Sequence, residues 1–174
     1  VLVTGAARRI GAAIASHLHA RGCSVALHYR GSQAAARALR DALEAARSNS
    51  TLLLQADLAA PDAADMLVDR TVAHFGRLDG LVNNASAFFP TPIGTVTAAQ
   101  WQSLFDANAR APSFLSQAAA THLRASRGAI VNITDIYGDR PLRAHAVYCM
   151  SKAALMMMTK SLPLKPAPEI RANA

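Results

Sequence analysis

Short β-rich apolar runs alternate with helical patterns from one end of the chain to the other, and that rhythm leaves few architectures open. Val1-Leu2-Val3 reads as a buried strand, followed by a glycine-containing turn. A helical pattern then runs from about Arg9 to Arg21, with Ile10, Ile14 and Leu18 at i, i+4 and i+8 and Gly22 as the stop signal. The unit repeats: strand Ser24–Tyr29, helix Gln33–Arg47, strand Thr51–Gln55, helix Ala63–Phe75, strand Gly80–Asn83, a long helical stretch from Thr97, strand Ala129–Ile133 and a helix from about Ala146. Strands whose successors must be reached through a helix pair in parallel and are covered on both faces.

Right-handed crossovers and two βαβαβ halves predict the order 3-2-1-4-5-6, a doubly wound parallel α/β sheet of the Rossmann type, with a sixth strand beginning near Arg171. At roughly 150 residues per domain, the 174 residues make one dinucleotide-binding domain spanning 1–174. No turn leads into the first strand and the last one starts as the chain stops, so a fragment of a longer protein with a C-terminally incomplete sheet is expected. Thr97 with Gln100 forms a capping-box pattern, and Pro112 should kink or divide the helix that follows. Pro163, Pro166 and Pro168 should end the last helix near Ser161.

Eighteen basic against eleven acidic side chains give a net charge of +7. The arginines are scattered from Arg8 to Arg171 without a basic run, so the expected partner is a compact anionic small molecule, not nucleic acid or a membrane. Cys23 and Cys149 read as packed thiols, and with no spanning segment the expected setting is reducing and cytoplasmic. His17 and His19 point apart on a helix, so no metal site is expected, and Met156-Met157-Met158 reads as core or subunit contact.

The loop after the first strand is Thr4-Gly5-Ala6-Ala7-Arg8-Arg9-Ile10-Gly11. Its small residues would let backbone amides approach a pyrophosphate at the positive end of the next helix. About twenty residues further on, a carboxylate would select NAD by accepting from a ribose hydroxyl. Here the second strand ends His28-Tyr29-Arg30-Gly31-Ser32. Arg30 and Ser32, with Arg8 or Arg9 from the first loop, would pair with a 2′-phosphate instead, so NADPH/NADP+ is the predicted cofactor.

These residues resemble the short-chain dehydrogenase/reductase family. The tokens run in order: Thr4-Gly5-x-x-x-Arg9-x-Gly11, Asp57-Leu58 after the third strand, Asn83-Asn84-Ala85-Ser86 after the fourth, Asn108 in the long helix, then Tyr148-x-x-x-Lys152. The resemblance implies that Asp57 touches the adenine, that Asn84 and Ala85 lie at the cofactor ribose side, and that Leu58 and Ser86 also belong to the cofactor-binding set. It further implies that Asn108 supports Lys152 through water and that the protein is a homotetramer. The residues themselves agree about Tyr148 and Lys152: four positions apart, they share one helix face. A cation about 4 Å from a phenol contributes roughly 4 kcal/mol at an intermediate dielectric, which predicts a lowered Tyr148 pKa and a proton available for general-acid work.

One departure refines the reading. The common family pattern has Ser thirteen residues before the Tyr; this chain has Asp135. A carboxyl group there can relay a proton through the phenol, which suits reduction of a ring C=N bond. With Arg9 in the glycine loop and Ser86-Ala87-Phe88-Phe89-Pro90-Thr91-Pro92 after the fourth strand, the chain resembles the pteridine reductase branch. In that branch, residues matching Phe88, Ser86 and Arg9 contact a stacked pterin or the cofactor phosphate. The expectation is therefore NADPH-dependent reduction of a pterin- or dihydrofolate-like heterocycle. The alternatives are a ketone or 3-oxoacyl reductase of the same family, or a module that binds NADP(H) without catalysis.

Overall fold

The structure, a computed structural model, describes residues 1–162 and 170–174. Among these, six strands form one sheet in the order β3-β2-β1-β4-β5-β6: β1 Leu2–Val3, β2 Val25–Tyr29, β3 Thr51–Gln55, β4 Gly80–Asn83, β5 Ala129–Asn132 and β6 Arg171–Asn173. Every pairing is parallel, and β6 joins β5 with Ala129 opposite Arg171. The helices are α1 Arg9–Ala20, α2 Gln33–Ala46, α3 Ala63–Phe75, α4 Ala98–Phe105, α5 Ala111–Ser126 and α6 Ala146–Ser161. The doubly wound order expected from the alternation is the one observed, and α6 ends at the expected residue. Pro163, Lys165, Pro166 and Pro168 lie outside the described residues.

The strands from β1 to β5 are mostly apolar because each face of the sheet has its own core. Leu2, Ala26, Leu54, Leu81 and Ile130 pack on one side with Leu67 of α3 and Leu115 and Leu123 of α5. Val3, Val25, Leu27 and Val82, their neighbours along the same strands, pack on the other with Ala15 of α1 and Leu43 of α2. Burying each such leucine stabilises the fold by about 1.5–3 kcal/mol.

The buried row of α1 is shifted from the expected one. Gly11, Ala15 and His19 are buried, Ile14 and Leu18 pack at the edge, and Ile10 is 61% exposed. Close approach explains the shift, since a Cβ on Gly11 would stand 2.2 Å from the carbonyl oxygen of Gly5. Only glycine fits at the position of α1 that meets the first loop. The long helix is divided as Pro112 suggested, but by a wide turn instead of a break. A π-helical segment, Asp106–Arg110, joins α4 to α5, and Pro112 sits in the first turn of α5, where an amide hydrogen is dispensable. The capping box at Thr97 is present in both directions, at 3.2 and 3.0 Å.

Candidate active site

The carboxyl ends of β1 and β4 meet at the point where strand order reverses, the place where open α/β sheets bind ligands. The two loops leaving them are laced together. Asn84 N and Ala85 N donate to Thr4 Oγ1 at 2.9 and 3.0 Å, and Asn84 Nδ2 donates to Thr4 O and Gly5 O at 2.9 and 3.2 Å. Gly5 has φ +62°, and a Cβ there would stand 3.0 Å from Ala85 Cα. The fully buried ring of His28 supports the loop from β2: its Nδ1 accepts from Gly5 N at 3.2 Å and its Nε2 donates to Ala56 O at 3.2 Å. Those two bonds fix the tautomer. Burial holds the His28 pKa below the ordinary imidazole value, against the opposing pull of Ala56 O and Asp57.

Arg8, Arg9 and Ile10 are exposed at the start of α1, where no side chain caps the helix and no acidic residue occupies the first turn. Arg9 has φ +52°, a left-handed conformation of the strained kind that collects at ligand sites. At the end of β2, Tyr29 is buried, Arg30 is exposed and Ser32 heads α2 without a side-chain cap bond. Among the described residues Arg8, Arg9 and Arg30 form no ion pair. Exposed Asp57 accepts from Ala59 N at 3.0 Å, and Leu58 beside it is half-buried. A glycine-lined turn, an uncapped helix start and three uncommitted arginines fit the phosphates of a dinucleotide.

Tyr148, in the first turn of α6, donates from Oη to Asp135 Oδ2 at 2.5 Å. Asp135 in turn caps a 3₁₀ turn, Ile136–Gly138, by accepting from Tyr137 N at 3.1 Å. One turn along α6, Lys152 Nζ donates to Ile133 O at 2.9 Å and lies 5.9 Å from the centre of the Tyr148 ring. Both side chains are buried. The expected lowering of the Tyr148 pKa is corrected: burial, then the hydrogen bond and charge of Asp135, push it up. Lys152 does not dominate because it bonds to a backbone carbonyl while a carboxylate sits directly on the phenol. Burial also lowers the Lys152 pKa, with Asp135 pulling the other way.

Asn108, turned inward by the π-helical segment, is wholly buried and uses all four hydrogen-bonding positions of its amide. Its Oδ1 accepts from Ser86 Oγ at 2.9 Å and Ala87 N at 2.8 Å, and its Nδ2 donates to Ala87 O and Ser151 Oγ, both at 2.9 Å. None of these bonds goes to Lys152; the side chain instead ties the loop after β4 to α6. Phe88 is 57% exposed beside Tyr148, their rings crossing edge-on at 85° with centres 4.7 Å apart. Three contributors have no motif of their own in the sequence: His28 under the first loop, Ser151 behind Asn108, and His145 stacked on Phe88. For Ser151 a signal existed, since it lies three positions from Tyr148 on the same face of α6, whereas His145 precedes that helix as its N-cap.

Fold and site together define a dinucleotide-fold oxidoreductase. A family model described as short chain dehydrogenase matches residues 1–174, and the chain belongs to that family, whose members generally use a nicotinamide dinucleotide. Pteridine reductase 1 of Leishmania tarentolae is 38% identical, over 99% of this chain and 73% of that protein. An uncharacterized oxidoreductase of Methylorubrum extorquens is also 38% identical, over 99% of this chain and 69% of its own length. The 3-oxoacyl-[acyl-carrier-protein] reductase of Staphylococcus aureus is 33% identical, over 92% of this chain and 65% of that protein. Among the described residues no helix is long and apolar enough to cross a membrane, and no group of three or more His, Cys, Asp or Glu could hold a metal ion.

Proposed function

We propose that the chain reduces a flat pterin- or dihydrofolate-like heterocycle with NADPH. The observation that carries this reading is the 2.5 Å bond from Tyr148 to Asp135, with the exposed ring of Phe88 standing against the same tyrosine. Gly5, Arg8, Arg9, Ile10 and Gly11 would hold the dinucleotide phosphates, with Tyr29, Arg30 and Ser32 at the 2′-phosphate. Asp57 and Leu58 would meet the adenine, and Asn84, Ala85 and Ser86 the ribose side. When bound, the nicotinamide supplies the hydride that reduces a ring carbon. The similarity to Pteridine reductase 1 and the lack of a carboxylate in Tyr29-Arg30-Gly31-Ser32 support the choices of substrate and cofactor.

Tyr148 delivers a proton to the ring nitrogen next to the reduced carbon. A phenol bonded to an ionised carboxylate points its hydrogen at that carboxylate, so Asp135 must first take up a proton. It then donates to Tyr148 Oη and frees the phenolic hydrogen for the substrate. The raised Tyr148 pKa keeps the phenol protonated between turnovers. Lys152 binds the ribose and offsets negative charge developing at Oη. Asn108 keeps Ser86 and Ala87 in place beneath the substrate, and Phe88, Ser86 and Arg9 contact the heterocycle or the nearest phosphate. Exposed Trp101 on α4 and Phe114 on α5 support a homo-oligomer.

A ketone or 3-oxoacyl reductase is the second reading, favoured by the similarity to the acyl-carrier-protein enzyme. Steady-state oxidation of NADPH separates the two. Turnover with dihydrobiopterin or dihydrofolate is expected; turnover with a 3-oxo ester and none with either heterocycle would overturn the proposal.

A further inference from the structure

Phe88 and His145 form a stacked pair that the proton-transfer scheme does not use. Their ring centres are 4.7 Å apart and their planes 12° from parallel, while the Tyr148 ring crosses Phe88 at 85°. The imidazole has one hydrogen bond of its own, and the backbone that carries it is held at several points. Its Nδ1 donates to Arg143 O at 2.8 Å, and its backbone forms a parallel bridge with Thr91. Thr91 N donates to Ala144 O at 2.6 Å, and Val147 N donates to Thr91 Oγ1 at 3.3 Å. Ala144, next to His145, is held at φ +60°, a conformation an L residue keeps only when its surroundings impose it. The segment after β4 is thereby stitched to the segment that launches α6, and the two aromatic rings close the stitch on the side next to Tyr148.

We propose that His145 is a positioning residue that sets substrate specificity by clamping Phe88. With one face covered by the imidazole, the phenylalanine cannot rotate freely. Its uncovered surface then presents a fixed plane, nearly perpendicular to the Tyr148 ring, on which a flat heterocycle stacks. An exposed phenylalanine without a backing ring would sample several rotamers, and a substrate would have to select one of them at a loss of affinity. This role depends on the heterocycle reading of the same site, so its test has one arm that needs no turnover.

In the full chain, His145→Ala should raise the KM for dihydrobiopterin about tenfold while kcat changes less than threefold. His145→Phe, which restores a stacking ring, should return KM to near its original value. An unchanged KM in His145→Ala overturns the clamp, and so does a lowered one, which would mean that the imidazole competes with substrate. In the independent arm, the His145 Hε1 proton resonance should move in Phe88→Leu, because the ring current that shields it is lost. An unmoved resonance removes the stack and the proposal with it. If the wild type reduces no heterocycle yet the resonance moves, the substrate assignment fails while the clamp stands.

Discussion

The β1–β3 half and the β4–β6 half both shape loops at the carboxyl edge of one sheet, but with different materials. The first half works with main chain and empty space: Gly5 in a left-handed turn, Gly11 against a carbonyl, and amides held by the ring and carbonyl of His28. The second works with buried polar side chains bonded to each other. Asn83 Nδ2 donates to Asn132 Oδ1 and Asn132 Nδ2 to Thr159 Oγ1, both at 2.8 Å, alongside the Asn108, Ser151, Tyr148 and Asp135 contacts. Holding a phosphate takes amides and room for the ligand's bulk, whereas moving a proton takes side chains fixed to within about 0.5 Å. A buried group without a partner costs about 1–3 kcal/mol, so the second half bonds nearly all of them, Asn83 Oδ1 being an exception.

If the division is real, lesions in the two halves should damage different quantities. Tyr148→Phe should lower kcat by about 1,000-fold, within the usual range for losing a general acid, while the Kd for NADPH, read by nicotinamide fluorescence, stays within twofold. Substantial turnover without the hydroxyl would break the comparison at its centre. Gly11→Ala should do the reverse. The new methyl would meet Gly5 O at 2.2 Å and Asn84 Nδ2 at 2.5 Å, one of them backbone that cannot swing aside. A loss of about 1–3 kcal/mol in denaturant stability and a weakened Kd for NADPH are expected.

The first half was legible because its devices are local in sequence. Glycines at fixed offsets and the arginines of two loops can be read without a partner from elsewhere, although Ile10 shows that even there the helix face was set by a contact the pattern did not reveal. The grouping of Asp135, Tyr148 and Lys152, to which the proposed proton transfer is assigned, was legible for a similar reason, since the three lie within one short stretch. What stayed hidden depends on which segments meet in space. Asn108 reaches Ser86 and Ala87 only because a π-helical segment replaces the kink expected at Pro112. The Tyr148 pKa was misjudged because spacing along a helix shows neither how deeply the phenol is buried, nor its bond to Asp135, nor the direction in which Lys152 turns.

Arg30→Ala tests whether the exposed arginines of the first half choose between cofactors. Loss of one charge-assisted contact at the protein surface should weaken NADPH about tenfold, equivalent to about 1.4 kcal/mol, and leave NADH affinity unchanged. Equal effects on the two nucleotides would mean that Arg30 contributes general positive charge and does not read the 2′-phosphate.

The smallest effect concerns a buried, titratable side chain on which the first half relies. His28 accepts from Gly5 N through Nδ1, so a second proton on the ring would remove the acceptor and put a buried charge under the loop. Its folded-state pKa is lowered from 6.5, and the unfolded chain therefore binds the proton first as pH falls. The stability it secures is complete above about pH 6.5 and drains away below that value until the folded pKa is reached, by about 1.4 kcal/mol for each tenfold difference in proton affinity between the unfolded and folded chains. His19, bonded to Ser50, is lowered in the same sense and adds to the slope, so the wild type alone cannot assign it. Urea midpoints of wild type and His28→Gln at pH 7.5 and 5.0 isolate the difference. Glutamine can accept and donate through its amide without titrating, so its loss of stability on acidification should be the smaller. Identical losses would show that the ring under Gly5 is packing alone, and that the first half depends on main chain even more completely than the contrast with the second half implies.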